Sequence, residues 1–175
     1  NGPANRLQEF FCRPRVTPTA EERLTDRQAV VTVVSPPAAD KGVLNVRKPT
    51  CMIVTGAAGN LGRATAARLA GEGINLVCVD RTAEALNTMV QTLPASAKVL
   101  TFAGADLGNP AVAQAMVEAA TDSFGGVDAL INTVGGFATG PVNGDALDQW
   151  DLMMNLNARV ALVTSIAVLP TMQAA

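Results

Sequence analysis

Three glycines recur at every third position in Thr55-Gly56-Ala57-Ala58-Gly59-Asn60-Leu61-Gly62, between an apolar run and an alanine-rich stretch. A turn of this kind between a strand and a helix brings backbone N–H groups and a helix N-terminus against a pyrophosphate. A side chain on its near face would hold the phosphates away. Asp80 closes the next apolar run, 18 residues after Gly62, where a carboxylate accepts hydrogen bonds from an adenosine ribose. The competing explanation is an ordinary tight turn whose glycines serve packing alone. The strand before, the helix after and the acid beyond together favour a dinucleotide site. Arg81 follows directly; it is either a solvated side chain or a group that stacks on adenine or meets a 2′-phosphate.

The elements that must hold these residues can be read from apolar periodicity. Cys51–Thr55, Asn75–Asp80, 98–103 and 128–133 are Val/Ile/Leu-rich runs of strand length, as expected of a parallel sheet covered on both faces. Helical spacing lies between them. Leu61, Thr65 and Leu69 repeat at four; Leu86, Met89, Val90 and Leu93 precede Pro94; and Asn109-Pro110 marks the start of a helix with Ala113, Met116, Val117, Ala120 and Phe124 on one face. This order predicts an α/β doubly wound parallel sheet, Rossmann-like and truncated after its fourth strand and following helix. With no further strand, the fourth would be an unprotected edge.

Residues 1–50 carry eight basic against five acidic residues and six of the ten prolines, whereas 51–175 carry five basic against ten acidic. Apart from a candidate short strand at 29–34, the first fifty residues read as an irregular extension that need not belong to the fold; 51–175 is the Rossmann-like, dinucleotide-binding domain. The chain has no histidine, which excludes Ser-His-Asp and Cys-His nucleophiles and His-ligated zinc. Cys12, Cys51 and Cys78 are too scattered for a metal knuckle or a disulfide framework, so no metal and a reducing cytoplasm are expected. A net charge of −2 argues against nucleic acid or an anionic membrane as partner. The apolar run 160–169, interrupted by Thr164 and Ser165, is too short to span a bilayer.

With these motifs in order, the chain from Cys51 to about Met172 resembles the short-chain dehydrogenase/reductase family. The glycine turn is similar to its TGxxxGxG, with Asn60 in place of the middle glycine, and also fits a TGxxGxxG variant. Asparagine tolerates positive φ, so the turn can still close. Asp106-Leu107 looks like the family's adenine-contacting pair, although Asp106 also suits a plain loop or cap. Asn132-Thr133-Val134-Gly135 looks like its Asn-Asn-Ala-Gly segment, and Asn132 may be counted either as a site residue or as a structural tie. The resemblance implies an NAD(P)-dependent oxidoreductase, NAD favoured over NADP, transferring hydride between nicotinamide and a small carbonyl or alcohol substrate. Its cofactor contacts would be Gly56, Gly59, Asn60, Leu61, Gly62, Asp80, Arg81, Asp106, Leu107, Asn132, Val134 and Gly135.

A last helix is expected from about Gln149, with Trp150, Met153, Met154, Asn157, Ala161, Thr164 and Val168 on one inward face. By periodicity Asn157 is a satisfied core amide or the support of a polar site. The resemblance makes it the asparagine of an Asn-Ser-Tyr-Lys tetrad, 13 residues before Pro170, holding a water in a proton relay; Asn155 is expected to point elsewhere. The chain has no tyrosine, and its lysines are Lys41, Lys48 and Lys98. The expectation is therefore an N-terminal fragment, inactive alone, of an enzyme that is a cytoplasmic homo-oligomer at full length. The alternative is a non-catalytic dinucleotide-binding or regulatory module, complete as given.

Overall fold

The computed structural model describes residues 49–142 and 144–174, together with the backbone of 32–34. Cys12, Asn143 and most of the first fifty residues lie outside the described residues. In chain order the elements are β1 (Thr32–Val34), β2 (Cys51–Thr55), α1 (Asn60–Gly71), β3 (Asn75–Asp80), α2 (Ala83–Val90), β4 (Val99–Ala103), α3 (Pro110–Phe124), β5 (Ala129–Asn132), α4 (Ala146–Met154), a π-helical turn (Asn155–Arg159) and α5 (Val160–Ala174).

Strands β5-β2-β3-β4 are neighbours in that order and all parallel, the doubly wound arrangement expected from the alternating pattern. Because side chains on a strand alternate between faces, the sheet feeds two cores. Ile53, Val77, Val79 and Leu130 pack with Met116 and Ala120 of α3 and Val168 and Met172 of α5. Val54, Leu76 and Cys78 pack with Ala66 and Ala70 of α1 and Leu86 and Met89 of α2. Local signals set the helix ends. Asn109 Oδ1 accepts from Ala111 N at 2.9 Å, Pro110 is the first helical residue, and Gly125 closes α3 at φ 82°, a backbone that favours glycine. The start of β2 is fixed to the start of β5 by Asp128, whose Oδ2 accepts from Thr50 N at 2.7 Å and Cys51 N at 2.9 Å.

Two features differ from the sequence expectations. The outer edge of β5 is not bare: β1 pairs with it antiparallel, Thr32 opposite Asn132 and Val34 opposite Leu130. Part of the first fifty residues thus joins the sheet, within the candidate strand at 29–34. The last helix also starts three residues earlier than expected and runs as one 29-residue rod from Ala146 to Ala174, long and apolar enough by length and composition alone to cross a membrane. Its inward row is Val160, Thr164, Val168 and Met172. Trp150 and Met154, expected on that row, are 63% and 46% exposed. No residue of α4 is buried, because little packs over that helix; Met153 and Asn157 of the expected row remain partly buried.

Candidate functional site

The turn after β2 is built on close backbone approach. Gly56 has φ 66°, and a Cβ on it would lie 3.0 Å from Val134 N. A Cβ on Gly62 would fall within 2.8 Å of Ala57 Cα and closer still to Gly56 O, so Gly62 is the point where α1 rests on the turn. Gly59 is the residue preceding α1, in extended conformation (φ −72°, ψ 167°). The N-terminus of α1 has no side-chain cap and no acid in its first turn, unlike α3. Its first N–H groups are therefore open to an anion. Asn60 is the first residue of α1, and among the described residues only glycines have positive φ; the tolerance of asparagine for that region is not needed. Asn60 and Leu61 do not border the cavity described next.

A cavity of about 1000 Å³ opens over the C-terminal ends of the strands, at the large end of the usual range for small-molecule sites. Gly56 and Gly59 border it at β2; Asp80, Arg81 and Thr82 at β3; Asp106, Leu107 and Gly108 at β4; Thr133, Val134 and Gly135 at β5. Asp80 is partly buried, with Oδ2 accepting from Ala58 N at 3.0 Å and Oδ1 from Thr82 N at 3.1 Å. It binds the glycine turn to the end of β3 while facing the cavity. Asp106 Oδ1 accepts from Gly108 N at 3.1 Å, and Leu107 is buried in the core below.

Asn132 does not reach this cavity. It is 1% exposed; Oδ1 accepts from Thr55 Oγ1 at 3.1 Å, and Nδ2 donates to Ala161 O at 3.4 Å. Thr164 Oγ1 stands 3.0 Å from the same Oδ1. Of its two possible roles, the tie between sheet and α5 is the one the geometry fills. Asn157 is likewise committed: Oδ1 accepts from Gly136 N at 3.0 Å, and Nδ2 donates to Gly136 O and Met153 O, both at 2.9 Å. Both amide hydrogens are engaged, so the side chain positions the segment after β5. Asn155 corrects a further expectation: it borders the cavity and Asn157 does not. The π turn between them was unreadable from an α-helical period.

Sequence reasoning also missed Thr133 and Arg159. Thr133 Oγ1 donates to Thr55 O at 2.6 Å, beside the cavity. Arg159 borders the cavity and donates from Nε to Gly108 O at 3.1 Å; a lone cation ahead of an apolar helix was its only signal. The buried thiols are no part of the site. Burial pushes Cys78 up to about 12, and burial with the Asp128 charge does the same for Cys51, so neither is a nucleophile at neutral pH. Among the described residues no cluster of His, Cys, Asp or Glu could hold a metal ion.

The family described as short chain dehydrogenase matches residues 50–175. The chain belongs to this family. An uncharacterized oxidoreductase of Listeria innocua is 35% identical over 124 residues, which is 71% of this chain and 50% of that protein. A short-chain dehydrogenase/reductase structure from Burkholderia xenovorans is 30% identical with TM-score 0.65, covering 70% of this chain and 49% of that one. Levodione reductase is 33% identical with TM-score 0.63, at 70% and 49% coverage. This short-chain dehydrogenase chain thus spans about half the length of the curated relatives it matches.

Proposed function

We propose that this chain is the dinucleotide-binding half of an oxidoreductase that moves hydride between nicotinamide and a small carbonyl or alcohol substrate. The observation that carries this reading is the cavity, which begins at the uncapped α1 N-terminus and passes Asp80 to reach the loop after β4. Gly56, Gly59 and the first N–H groups of α1 would hold the pyrophosphate, and Gly62 keeps α1 close enough for them to do so. Asp80 would accept from the ribose, Asp106, Leu107 and Gly108 would border the adenine, and Val134 and Gly135 would lie toward the nicotinamide. The bound cofactor supplies the hydride donor or acceptor. Asn157 acts as a positioning residue through Gly136. The absence of tyrosine from the chain supports the view that the acid/base lies outside these residues, and the 175-residue chain is expected to show no turnover alone.

NAD is the favoured cofactor in this reading. Asp80 would face a 2′-phosphate with like charge, at about 1–4 kcal/mol for unit charges near 4 Å, and Arg81 beside it offsets part of that. The whole protein is read as a cytoplasmic homo-oligomer with neither nucleic acid nor a membrane as partner. The outward pair Leu162 and Ile166, 61% and 59% exposed, supports self-association.

Gly59→Asp tests the site without removing the fold. A Cβ there meets only Gly56 O, at 3.2 Å, and aspartate is a favoured helix cap. Its charge, however, would stand where the pyrophosphate must sit. The expected result in a calorimetric titration is NAD affinity lower by about ten-fold to a thousand-fold, with thermal unfolding unchanged or raised. Undiminished affinity would remove the pyrophosphate from this turn.

A further inference from the structure

We infer that Arg159 is the residue that recognises the adenine base, closing the outer end of the cleft over the purine. This rests on the dinucleotide reading above and adds a residue that no motif assigns. The sheet order supplies the ruler. Pyrophosphate at β2 and ribose at β3 leave the base beyond the end of β4, about 10 Å from the glycine turn at two strand spacings.

Arg159 reaches that place from the opposite wall. Its Nε donates to Gly108 O at 3.1 Å, which fixes the guanidinium beside the loop that follows β4. Among the described residues its terminal nitrogens carry no hydrogen bond or ion pair. Leu107, Pro110, Leu156 and Val160 supply apolar wall to the same cavity. A planar cation anchored at Nε on the rim of this cavity suits a flat aromatic ring, which it can cover face to face while its free N–H groups meet the ring nitrogens. Asp106, whose Oδ1 accepts from Gly108 N, flanks Gly108 on the same side as Arg159 Nε, but among the described residues it forms no ion pair with the guanidinium. Arg81, by contrast, follows β3 and borders the ribose. The two cations therefore divide the labour: Arg81 senses whether a 2′-phosphate is present, and Arg159 senses the base common to both cofactors.

The test is titration of NAD, NADP, ADP and nicotinamide mononucleotide into the 175-residue chain and into its Arg159→Met and Arg81→Ala variants. Arg159→Met keeps the length and helix propensity of the side chain. It is expected to weaken NAD, NADP and ADP alike, by about three-fold to thirty-fold, with nicotinamide mononucleotide and the unfolding temperature unaltered. Arg81→Ala should instead change the NAD:NADP ratio. Unchanged ADP affinity in Arg159→Met overturns the inference, as does a loss confined to NADP, which would put the guanidinium on the 2′-phosphate. Equal loss of nicotinamide mononucleotide overturns it too, because the effect would then be a general distortion of the cleft. If the unsubstituted chain, folded, binds none of the four, the dinucleotide reading fails and takes this inference with it.

Discussion

The wall of the cleft from Gly56 to Asp80 is stitched by its own chain, whereas the wall from Phe137 to Val160 stands largely uncovered. In the first, Asp80 holds Ala58 and Thr82, α1 rests on Gly56 through Gly62, and Ile53, Val54, Val77 and Val79 are fully buried. In the second, Phe137, Val142, Leu147, Trp150 and Leu152 are each more than half exposed, and a single asparagine, Asn157, holds Gly136 in place. A βαβ unit closes over its own core, so the phosphate side is complete in itself. The helical wall presents apolar surface of a kind that proteins normally cover, and the half-length match to relatives agrees with cover supplied from elsewhere. Gly56, Gly59 and Asp80 of the proposed dinucleotide site thus lie in the self-contained wall, and the large exposed apolar side chains in the open one.

The sharpest way to break the closed wall is Gly62→Val. Its Cβ would collide with backbone atoms of Gly56 and Ala57, not with a side chain that can turn away, so the loss should reach or exceed the ~1–3 kcal/mol usual for overpacking. Thermal unfolding should show a large drop in midpoint and dinucleotide binding should vanish with it. A normal midpoint would show that the helix does not depend on this approach.

Asn132→Leu comes next. It leaves the buried Thr55 hydroxyl without its acceptor, at about 1–3 kcal/mol, while Thr164 keeps Val160 O at 2.8 Å. Urea unfolding should register this while NAD affinity per folded molecule stays the same; a specific loss of affinity would restore Asn132 as a contact.

These two residues show what could be read without coordinates. The strands, the glycine turn and the Asn109-Pro110 helix start were legible because each depends on neighbours a few residues away. The role of Asn132 was not, because its partners Thr55 and Thr164 lie 77 and 32 residues distant. The π turn was hidden for another reason. An α-helical period assumes constant phase, and the wider turn carries Asn155 to the edge of the cavity.

A smaller effect belongs to the buried thiols. Burial raises Cys51 and Cys78 to about 12 in the folded chain, from an ordinary thiol value of 9.0. Their protonated forms are therefore favoured by folding, and the stability they contribute is fully present below pH 9 and lost as pH rises toward 12. Urea midpoints measured from pH 8 to 11 should fall, and fall less in Cys51→Ala/Cys78→Ala. An identical slope in the double variant would count against the shift. At pH 8 neither thiol should react with a disulfide reagent until the chain unfolds.

The smallest effect on folding is expected just beyond the open wall, on the outward face of α5. Leu162→Ser with Ile166→Ser should alter unfolding free energy by no more than about 0.5 kcal/mol per site, yet reduce self-association in sedimentation velocity. A large loss of stability would mean that this face is already covered within the chain.

The pairing of β1 with β5 also sets an order of assembly. Residues paired between β2 and β3 are 24 apart, and those between β3 and β4 are 23 apart, but Met52 is 77 residues from Ala129 and Thr32 is 100 from Asn132. Closing the 77-residue loop between β2 and β5 rather than one of two dozen costs about 1 kcal/mol more in chain entropy; with β5 in place only residues 35–50 separate β1 from β2, but β1 has just three residue pairs to hold it. The sheet therefore grows outward from β2 and β3, and β1 is its last addition. Until it arrives, the outer backbone of β5 has no strand partner among the described residues, and pairing with another chain competes with that closure.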